Sequence, residues 1–484
     1  MQNRPLDVMF SLLGTVIATT VIGCSPADPA DLQASQTTPP TAPSVDGTEL
    51  DAEAWAEPVI VADARRARFD ITGIIGTGQS LSVGAEASTF SAEASVPHFN
   101  NLKLALDGAS VPPFDPNLAS LSLVPFVEPI RPLATTFPSA YPANLYGETP
   151  HAAMAAQITM LARRAGMRDY ITAQTVVGES GQGMSVIDKS AIEVVNGNTS
   201  TGRAYKATLF EAAAISRLAA ARGKTYGIGA IVLTHGETDN GNPGYEAAMV
   251  QLWSDYNQDL TTITGQAESI PLFTSQQHSI PFSAGQRLGM PLSTTAEWRV
   301  GVDNPRNLIC SGPKYQYPYA PDNIHLVTRG YELLGEKLGE IYVHHVILGR
   351  PWQPLQPIAV RRAGRIVAVR FHVPSPPLDW DSTLPMPHQT QLTEWAHGRG
   401  FELRTGNTPL AIASVHILGD TVLIIAAVDV PSGATVGYAA TSDGIALPGV
   451  SPRWGKLVDS DRTVGVFTGQ AQPNYAVAFE LDVP

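Results

Sequence analysis

Four short polar stretches of this chain contain residues that could act on a substrate together. In chain order they are Gly78-Gln79-Ser80, Gly181-Gln182-Gly183-Met184-Ser185, His235-Gly236-Glu237-Thr238-Asp239 and Asp322-Asn323-Ile324-His325. The first three closely follow runs typical of buried strands, and the fourth precedes a predicted helix. Serine, histidine and aspartate are the components of a nucleophilic triad, so the chemistry depends on whether one fold brings these stretches together.

Asp322 and His325 are three residues apart at a predicted junction between a loop and a helix. At that spacing the Asp322 carboxylate can accept a hydrogen bond from Nδ1 of His325, which leaves Nε2 to take a proton from a hydroxyl. Ser80 is the hydroxyl that this base would activate, because an unassisted serine is a poor nucleophile. Taken alone, the pair has a simpler alternative, in which Asp322 caps the helix and His325 lies on the surface.

The two middle stretches offer polar groups where predicted strands end. Gly183 follows the second strand, where a glycine lets a backbone N–H point at a developing oxyanion; a plain turn is the alternative. The stretch from His235 to Asp239 gathers polar side chains at the exit of a buried strand, which packing does not explain. Its side chains would suit a metal, but the sequence has no second ligand cluster at metal spacing and no helical H-E-x-x-H pattern, so no metal site is predicted.

Two familiar motifs do not fit the sequence. Gly76-Thr77-Gly78 is similar to the start of a dinucleotide-binding loop, but Leu81 stands where the third glycine would be. The G-x-S-x-G serine motif of the α/β-hydrolases does not occur in the chain. The sequence therefore predicts no organic cofactor.

Between residues 66 and 348 the chain alternates predicted strands and helices. Strands are predicted at 69–75, 170–177, 228–233 and 271–273, and helices at 151–165, at 243–264 and around Leu334, Leu338 and Ile341. This alternation predicts an α/β fold, with a parallel sheet covered by helices on both faces and the chemistry at the carboxyl ends of the strands. The Pro-rich region 90–148 is predicted to be an insertion with little regular structure.

Residues 349–484 form a second predicted domain. Short runs with alternating apolar residues, such as 367–373 and 475–483, are separated by Gly and Pro turns, which predicts an antiparallel β-sandwich. This domain could bind glycan, cover the active site or buttress the fold. Tyr438, Trp454 and Tyr475 are its candidates for stacking on sugar, and packing in a core or interface is the alternative.

The first 65 residues predict export and tethering. An apolar run that ends at Val21-Ile22-Gly23-Cys24 predicts a lipoprotein signal peptide over residues 1–23 and a lipid anchor on Cys24; a cleaved signal with an incidental cysteine is the alternative. Residues 24–65 are rich in Pro, Ala and Thr, which predicts a disordered tether. The expected location is outside the cytoplasm, in the periplasm or at the cell surface, with the protein anchored to a membrane, which would be the outer membrane if the host is Gram-negative.

The net charge argues against a nucleic-acid partner, and the cysteine content argues against a disulfide bond. The net charge of −13 leaves no basic stripe for nucleic acid. Cys310 is the only cysteine besides Cys24, so acylation of Cys24 would leave no partner for a disulfide, and Cys310 is predicted to be a small buried residue. Beyond the signal segment, no run is long and apolar enough to predict a membrane-spanning helix.

Together, the four polar stretches resemble the SGNH hydrolases, and most closely the branch that contains sialate O-acetylesterase-like and acetylxylan esterases. That branch has a G-Q-S block after its first strand, a glycine block after the second, Q-G-E-x-D after the third and D-x-x-H near the end. The matching positions lie between about residues 69 and 340, with Gly78-Gln79-Ser80 and Asp322-x-x-His325 matching directly. One position departs, because His235 stands where the branch usually has glutamine.

The resemblance implies a three-layer, flavodoxin-like α/β/α domain over residues 66–348 and serine esterase chemistry without a cofactor. Ser80 would be the nucleophile, and the N–H groups of Ser80 and Gly183 with the His235 side chain would bind the oxyanion. Gln79, Glu237 and Asp239 would support the site. The implied substrate is a carbohydrate that carries small acyl groups, acetyl foremost. Two alternatives stay open: a non-catalytic surface lipoprotein that binds glycan on an esterase scaffold, and a lipase or thioesterase of the same fold.

Overall fold

The computed structural model describes residues 69–106, 114–133, 145–195, 198–278, 289–387, 392–442 and 447–484, with backbone alone at 193–195 and 198–200. The predicted signal peptide (1–23), Cys24 and the predicted tether (24–65) lie outside the described residues. No helix in the described part of the chain is long and apolar enough to cross a bilayer.

A seven-stranded sheet forms the centre of the first part of the chain. The strands up to residue 313 are β1 (Ile71–Gly78), β2 (Leu102–Ala105), β3 (Ser122–Pro125), β4 (Thr172–Gly178), β5 (Ile192–Val195), β6 (Asn198–Thr201), β7 (Tyr226–Thr234), β8 (Leu272–Gln276) and β9 (Leu308–Pro313). The order in the sheet is β3-β2-β4-β1-β7-β8-β9, and every neighbouring pair is parallel except β2 with β3. Strands β5 and β6 form a separate hairpin.

Helices cover both faces of this sheet. They are α1 (His151–Arg164), α2 (Met184–Ile187), α3 (Arg203–Ala220), α4 (Tyr245–Thr264), α5 (Leu292–Asp303) and α6 (Thr328–Tyr342). On β1, Ile74 packs into the core beneath α1 and α6, whereas Ile75 packs into the core beneath α3 and α4. Each fully buried side chain of this size contributes about 1.5–3 kcal/mol. The predicted three-layer α/β/α arrangement is therefore confirmed.

The second part of the chain is an antiparallel β-sandwich, as predicted. Its strands are β10 (Gln356–Ala363), β11 (Ile366–His372), β12 (Asp379–Trp380), β13 (Phe401–Thr405), β14 (Thr408–Pro409), β15 (Ile412–Leu418), β16 (Thr421–Ala426), β17 (Thr435–Tyr438), β18 (Leu457–Val458) and β19 (Phe479–Asp482). They form the sheets β10-β11-β16-β15 and β14-β13-β17-β19, with β12 paired to β18. Phe371 and Phe479 of opposite sheets meet in one core.

The core of the β-sandwich continues into the α/β part of the chain. Trp298 of α5 and Cys310 of β9 are buried in the same cluster as the sandwich residues. The prediction that Cys310 is a small buried residue is confirmed. The two parts therefore share apolar surface rather than meeting through a solvated linker.

The region 90–148 departs in part from the sequence prediction, because it contains two strands of the central sheet, β2 beside β4 and the edge strand β3. Both strands are only four residues long, which is too short for a periodic pattern to stand out from the Pro-rich sequence around them. The strand β1 is also longer than predicted: it runs on to Gly78, which pairs with Gly178 of β4 and Thr234 of β7. The strand therefore includes Gly76 and Gly78, which the prediction left outside it.

Candidate active site

Ser80 lies in a sharp turn at the carboxyl end of β1. Gly78 has a φ of +138°, and a Cβ there would lie 2.0 Å from the carbonyl oxygen of Thr234, so only glycine fits. Gln79 is extended, and Ser80 opens a single 3₁₀ turn that runs to Val83. The Ser80 side chain is almost buried, and its hydroxyl makes no hydrogen bond within the described part of the chain. This is the position in which a strand presents a nucleophile at the end of a sheet.

The third polar stretch, residues 235–239, connects the first two. The Thr238 N–H donates to Oε1 of Gln79 at 3.3 Å. The Met184 N–H donates to Oδ2 of Asp239 at 2.7 Å. The ring of His235 bonds the carbonyl oxygen of Gln182 at 3.0 Å. The structure therefore brings the first three stretches together at one end of the sheet, as the sequence predicts.

Gly183 stands at the start of α2 with an ordinary backbone conformation, φ −83°. A Cβ at this position would lie 3.1 Å from Oδ2 of Asp239, closer than ordinary van der Waals contact. The position is therefore crowded by the Asp239 carboxylate, while its backbone conformation is one that any residue adopts. Among the described residues, the N–H groups of Ser80 and Gly183 donate to no acceptor, so both can serve a ligand.

Asp322 and His325 form a hydrogen-bonded pair. Nδ1 of His325 lies 2.6 Å from Oδ2 of Asp322, while Oδ1 of Asp322 accepts from the N–H groups of Ile324 and His325 at 2.9 and 3.0 Å. Burial raises the pKa of Asp322, but the hydrogen bond from the His325 ring and the two backbone N–H groups together outweigh it, and the pKa lies below its ordinary value. Nε2 of His325 is buried and has no partner among the described residues. The pair thus has a base nitrogen available and a carboxylate that orients it.

Contacts between neighbouring segments bring the Asp322–His325 pair close to the Ser80 turn. The Ala85 N–H donates to the Ser80 carbonyl at 3.1 Å, and the Ala85 carbonyl accepts from the Tyr331 hydroxyl at 2.7 Å. Glu86, in a left-handed conformation, places a carboxylate oxygen within 4.8 Å of ligand atoms of both Asp322 and His325. No hydrogen bond joins Ser80 to His325 in the described structure, and such bonds are often long before substrate binds.

A loop of the β-sandwich holds the turn that carries this pair. Asn323, next to Asp322, adopts a left-handed conformation with φ of +56°. Its side-chain amide donates to the carbonyl oxygens of Leu447 and Val450 at 2.6 and 2.7 Å. The Tyr319 N–H donates to the carbonyl of Gly449 at 3.0 Å. Sequence analysis missed this contact between Asn323 and the sandwich. An asparagine before a predicted helix indicates a turn, but it does not indicate a partner more than 120 residues away.

Glu237 forms an ion pair with Lys314, a partner that sequence analysis also missed. Lys314, just after β9, places Nζ 2.8 Å from Oε1 of Glu237, and both side chains are buried. Removing one member of such a pair leaves an unpaired buried charge, which costs about 3–5 kcal/mol. Glu237 is therefore fixed in place at the sheet's carboxyl end by Lys314, and its supporting role in the site stays a prediction.

Among the described residues, the donor set with metal-ligand proximity is Glu86, Asp322 and His325. Oδ2 of Asp322 already accepts from Nδ1 of His325, so an ion there would compete with that hydrogen bond. The set offers one imidazole and two carboxylates, and both carboxylate residues are exposed. These groups fit a hydrogen-bonded pair better than a closed metal site.

The aromatic residues considered for sugar stacking lie mainly inside the β-sandwich. Tyr438 and Trp454 are fully buried, and Tyr438 packs against Phe401 and Phe479. The Trp454 ring N–H donates to the carbonyl of Pro385 at 3.0 Å. Core packing thus accounts for both, and only Tyr475 keeps a partly exposed ring.

No protein-family model matches the chain, and no curated protein matches it by sequence. Among solved structures it is similar to XAC1771, a carbohydrate acetylesterase from Xanthomonas citri, with a TM-score of 0.54 and 14% identity over 85% of this chain and 80% of that chain. Weaker matches include a protein from Arabidopsis thaliana, with TM-score 0.40, 16% identity, and 57% of this chain and 99% of that one covered. NanS matches with TM-score 0.37, 11% identity, and coverage of 59% and 98%.

At such low identity the match to XAC1771 shows a shared fold. Because it covers most of both chains, the likeness extends over both parts of the chain and not over the α/β part alone. The fold expected from the resemblance to the SGNH hydrolases is therefore confirmed. What the residues at the sheet's carboxyl end do is a separate question, which their geometry must answer.

Proposed function

We propose that this protein is a serine esterase that removes small acyl groups, acetyl foremost, from carbohydrate. The observation that supports this most directly is the Asp322–His325 pair, whose Nε2 is buried without a described partner beside the turn that carries Ser80. The acylated-carbohydrate substrate is supported by the shared fold with XAC1771, which is described as a carbohydrate acetylesterase.

The reaction would proceed through an acyl-enzyme. Oγ of Ser80 attacks the ester carbonyl while Nε2 of His325 takes the hydroxyl proton. The carbonyl oxygen becomes an oxyanion held by the N–H groups of Ser80 and Gly183, and removing one such donor typically costs about 2.7–4 kcal/mol. Collapse of the intermediate expels the sugar alkoxide, which receives the proton from His325, and water then hydrolyses the acyl-serine by the same steps. Asp322, ionised because of its lowered pKa, stabilises the imidazolium.

The experiment that tests this proposal measures acetate released from acetylated polysaccharides and acetylated sialic acids, alongside aryl esters of increasing acyl length. We expect acetate release, with kcat/KM falling as the acyl chain lengthens. A preference for long acyl chains would instead indicate a lipase or thioesterase of the same fold. Binding of polysaccharide without acetate release would indicate a non-catalytic glycan-binding protein.

The pH dependence of kcat/KM should rise from acid to neutral pH with a single inflection. His325 must be unprotonated to accept the Ser80 proton, so activity appears as the imidazole loses its proton. The pKa of Asp322 lies below its ordinary value, so this carboxyl stays ionised between about pH 5 and 8 and adds no inflection there. Initial rates with a soluble acetyl ester across that range measure the profile. A flat profile would contradict the assignment of His325 as the base.

We also propose that the protein is exported and anchored to a membrane through a lipid on Cys24. The support is the sequence alone, namely an apolar segment that ends in Val21-Ile22-Gly23-Cys24. Metabolic labelling with palmitate in the native host should label the wild-type protein but not Cys24→Ser. The buried Cys310 provides the matched control, since Cys310→Ser should keep the label. Equal labelling of wild type and Cys24→Ser would contradict the anchor.

A further inference from the structure

His235 is fully buried, and both nitrogens of its ring already have protein partners. Nε2 lies 3.0 Å from the carbonyl oxygen of Gln182, and Nδ1 lies 2.9 Å from the hydroxyl of Tyr245. The Tyr245 ring stacks on the imidazole with 5.6 Å between ring centroids. In this arrangement the side chain has no N–H left to donate to an oxyanion, which is the role that the sequence resemblance implied.

The two contacts determine which nitrogen carries the proton. A carbonyl oxygen can only accept, so Nε2 must be the N–H that donates to Gln182. Burial lowers the pKa of His235 and outweighs the opposing charges of Asp239, whose Oδ2 lies 3.9 Å from Nδ1, and of Glu237. The ring is therefore neutral, and Nδ1 is unprotonated and accepts from the Tyr245 hydroxyl. Burial raises the pKa of Tyr245 well above its ordinary value, so the hydroxyl keeps its proton. The Gln182 carbonyl therefore selects the tautomer in which Nε2 donates, and the Tyr245 hydroxyl stabilises it by donating to Nδ1.

The hydrogen bond to Gln182 fixes the direction of the next N–H. Gln182 C=O and Gly183 N–H belong to one planar trans peptide, in which the two groups point in opposite directions. With the carbonyl held by His235, the Gly183 N–H must point away from the His235 ring. The following N–H, of Met184, is already taken by Asp239 at 2.7 Å. The Gly183 N–H is thus the donor that this turn leaves for a ligand.

We infer that His235 is a positioning residue, which aims the Gly183 N–H at the oxyanion by holding the Gln182 carbonyl, and that Tyr245 maintains the tautomer required for this. The inference rests on the proposed esterase function and deepens it. It also explains why histidine can stand where the esterases that the sequence resembles usually have glutamine. The His235 side chain holds the Gln182–Gly183 peptide and does not contact the substrate.

Kinetics of two variants and a control test this inference. Tyr245→Phe removes the hydroxyl that stabilises the tautomer by donating to Nδ1, and His235→Ala removes the donor to Gln182. For an acetyl ester we expect kcat to fall about 10-fold and about 100-fold respectively, with KM within about threefold, because the lost interaction matters in the transition state. The matched control is Tyr256→Phe, because Tyr256 lies on the same helix as Tyr245 and is equally buried. Its hydroxyl donates to Thr208 at 3.3 Å and not to His235. Its kcat should stay within about twofold of wild type.

A direct readout comes from NMR, because Gln182-Gly183 is the only Gln-Gly pair in the sequence. Carbonyl-¹³C glutamine combined with ¹⁵N glycine therefore isolates the Gly183 amide. We expect its proton resonance to move downfield when paraoxon phosphorylates Ser80 and places an oxygen in the oxyanion site. The His235 Nε2–H resonance should stay where it is, and in Tyr245→Phe the Gly183 shift should shrink.

The outcomes separate the inference from the function on which it rests. If Ser80 forms no adduct with paraoxon and no ester is hydrolysed, the proposed function fails and the inference fails with it. If the adduct forms but the Gly183 resonance does not move, or the His235 Nε2–H resonance moves instead, the inference alone is overturned and His235 is a direct donor. A KM that rises as steeply as kcat falls in Tyr245→Phe would overturn it as well.

Discussion

Ser80→Ala is expected to lower kcat for an acetyl ester by about 10⁴- to 10⁶-fold, the range seen when a triad nucleophile is removed. The reason is chemical and not structural: without Oγ no acyl-enzyme forms, and the remaining N–H donors can only assist direct attack by water. Since the hydroxyl makes no hydrogen bond in the described structure, its removal should change the free energy of unfolding by less than about 1 kcal/mol. Release of acetate and thermal unfolding measure the two effects on one preparation.

Ser82 provides a matched control within the same turn. Its hydroxyl donates to the carbonyl of Gln79 at 2.7 Å, so Ser82→Ala loses a buried hydrogen bond worth about 1 kcal/mol and keeps the nucleophile. We expect Ser82→Ala to be slightly less stable than wild type and to retain activity within about tenfold. If Ser80→Ala were as active as wild type, Ser80 would not be the nucleophile. If wild type and Ser80→Ala were equally inert and both bound polysaccharide, the glycan-binding alternative would stand.

The sequence could predict the position of Ser80 at a strand end and the bond between Asp322 and His325, because each depends on local pattern. A buried run followed by small residues places Ser80 at a strand exit, and parallel strands bring their carboxyl ends to one edge of the sheet. The spacing of Asp322 and His325 lets them bond within one turn. These properties belong to a few neighbouring residues and to the fold class, both of which periodicity can indicate.

The actual partners of His235 could not be predicted, because they depend on contacts between distant segments. Its ring bonds the carbonyl of Gln182, 53 residues earlier, and the hydroxyl of Tyr245, which opens the next helix. Neither contact leaves a pattern in the sequence. Whether the ring donates to a substrate oxyanion or to the Gln182 carbonyl depends on how the ring is oriented, which the sequence does not reveal. The same holds for the pairing of Lys314 with Glu237, 77 residues apart.

A chain that ends at Leu348 is expected to lose its cooperative thermal transition and all esterase activity. Removing residues 349–484 exposes the side of the α/β part that packs into the sandwich core, including Trp298 and Cys310. It also strips the amide of Gln276 of both its bonds to the backbone of Ala478, at 2.8 and 2.9 Å. Each hydrogen bond lost costs about 0.5–1.5 kcal/mol besides the apolar surface that is exposed, and a domain's whole stability is about 5–15 kcal/mol. Circular dichroism melting and acetate release measure the loss.

Charge strengthens this expectation. Lys337 of α6 is buried with Nζ bonded to Asp461 and to Asn474 of the sandwich at 3.0 and 3.1 Å. Burial lowers the pKa of this ammonium, but Glu340 and Asp461 outweigh it, and the pKa rises above its ordinary value. Truncation removes Asp461 and leaves Glu340 as the remaining carboxylate bonded to Nζ among the described residues. A shortened chain that melted cooperatively and hydrolysed ester at the wild-type rate would show that the sandwich is dispensable.

The same dependence can be tested locally at Asn323, whose amide ties the turn that carries Asp322 and His325 to the carbonyls of Leu447 and Val450. Asn323→Gly keeps the left-handed backbone and loses both hydrogen bonds, so kcat should fall about 10- to 100-fold as the Asp322–His325 pair loses its position. Asn323→Ala loses the same bonds and adds about 1 kcal/mol of backbone strain, so it should melt lower than Asn323→Gly at a similar kcat. The comparison separates positioning from stability. An Asn323→Gly enzyme with the wild-type kcat would mean that the sandwich buttresses the fold without setting the geometry of the base.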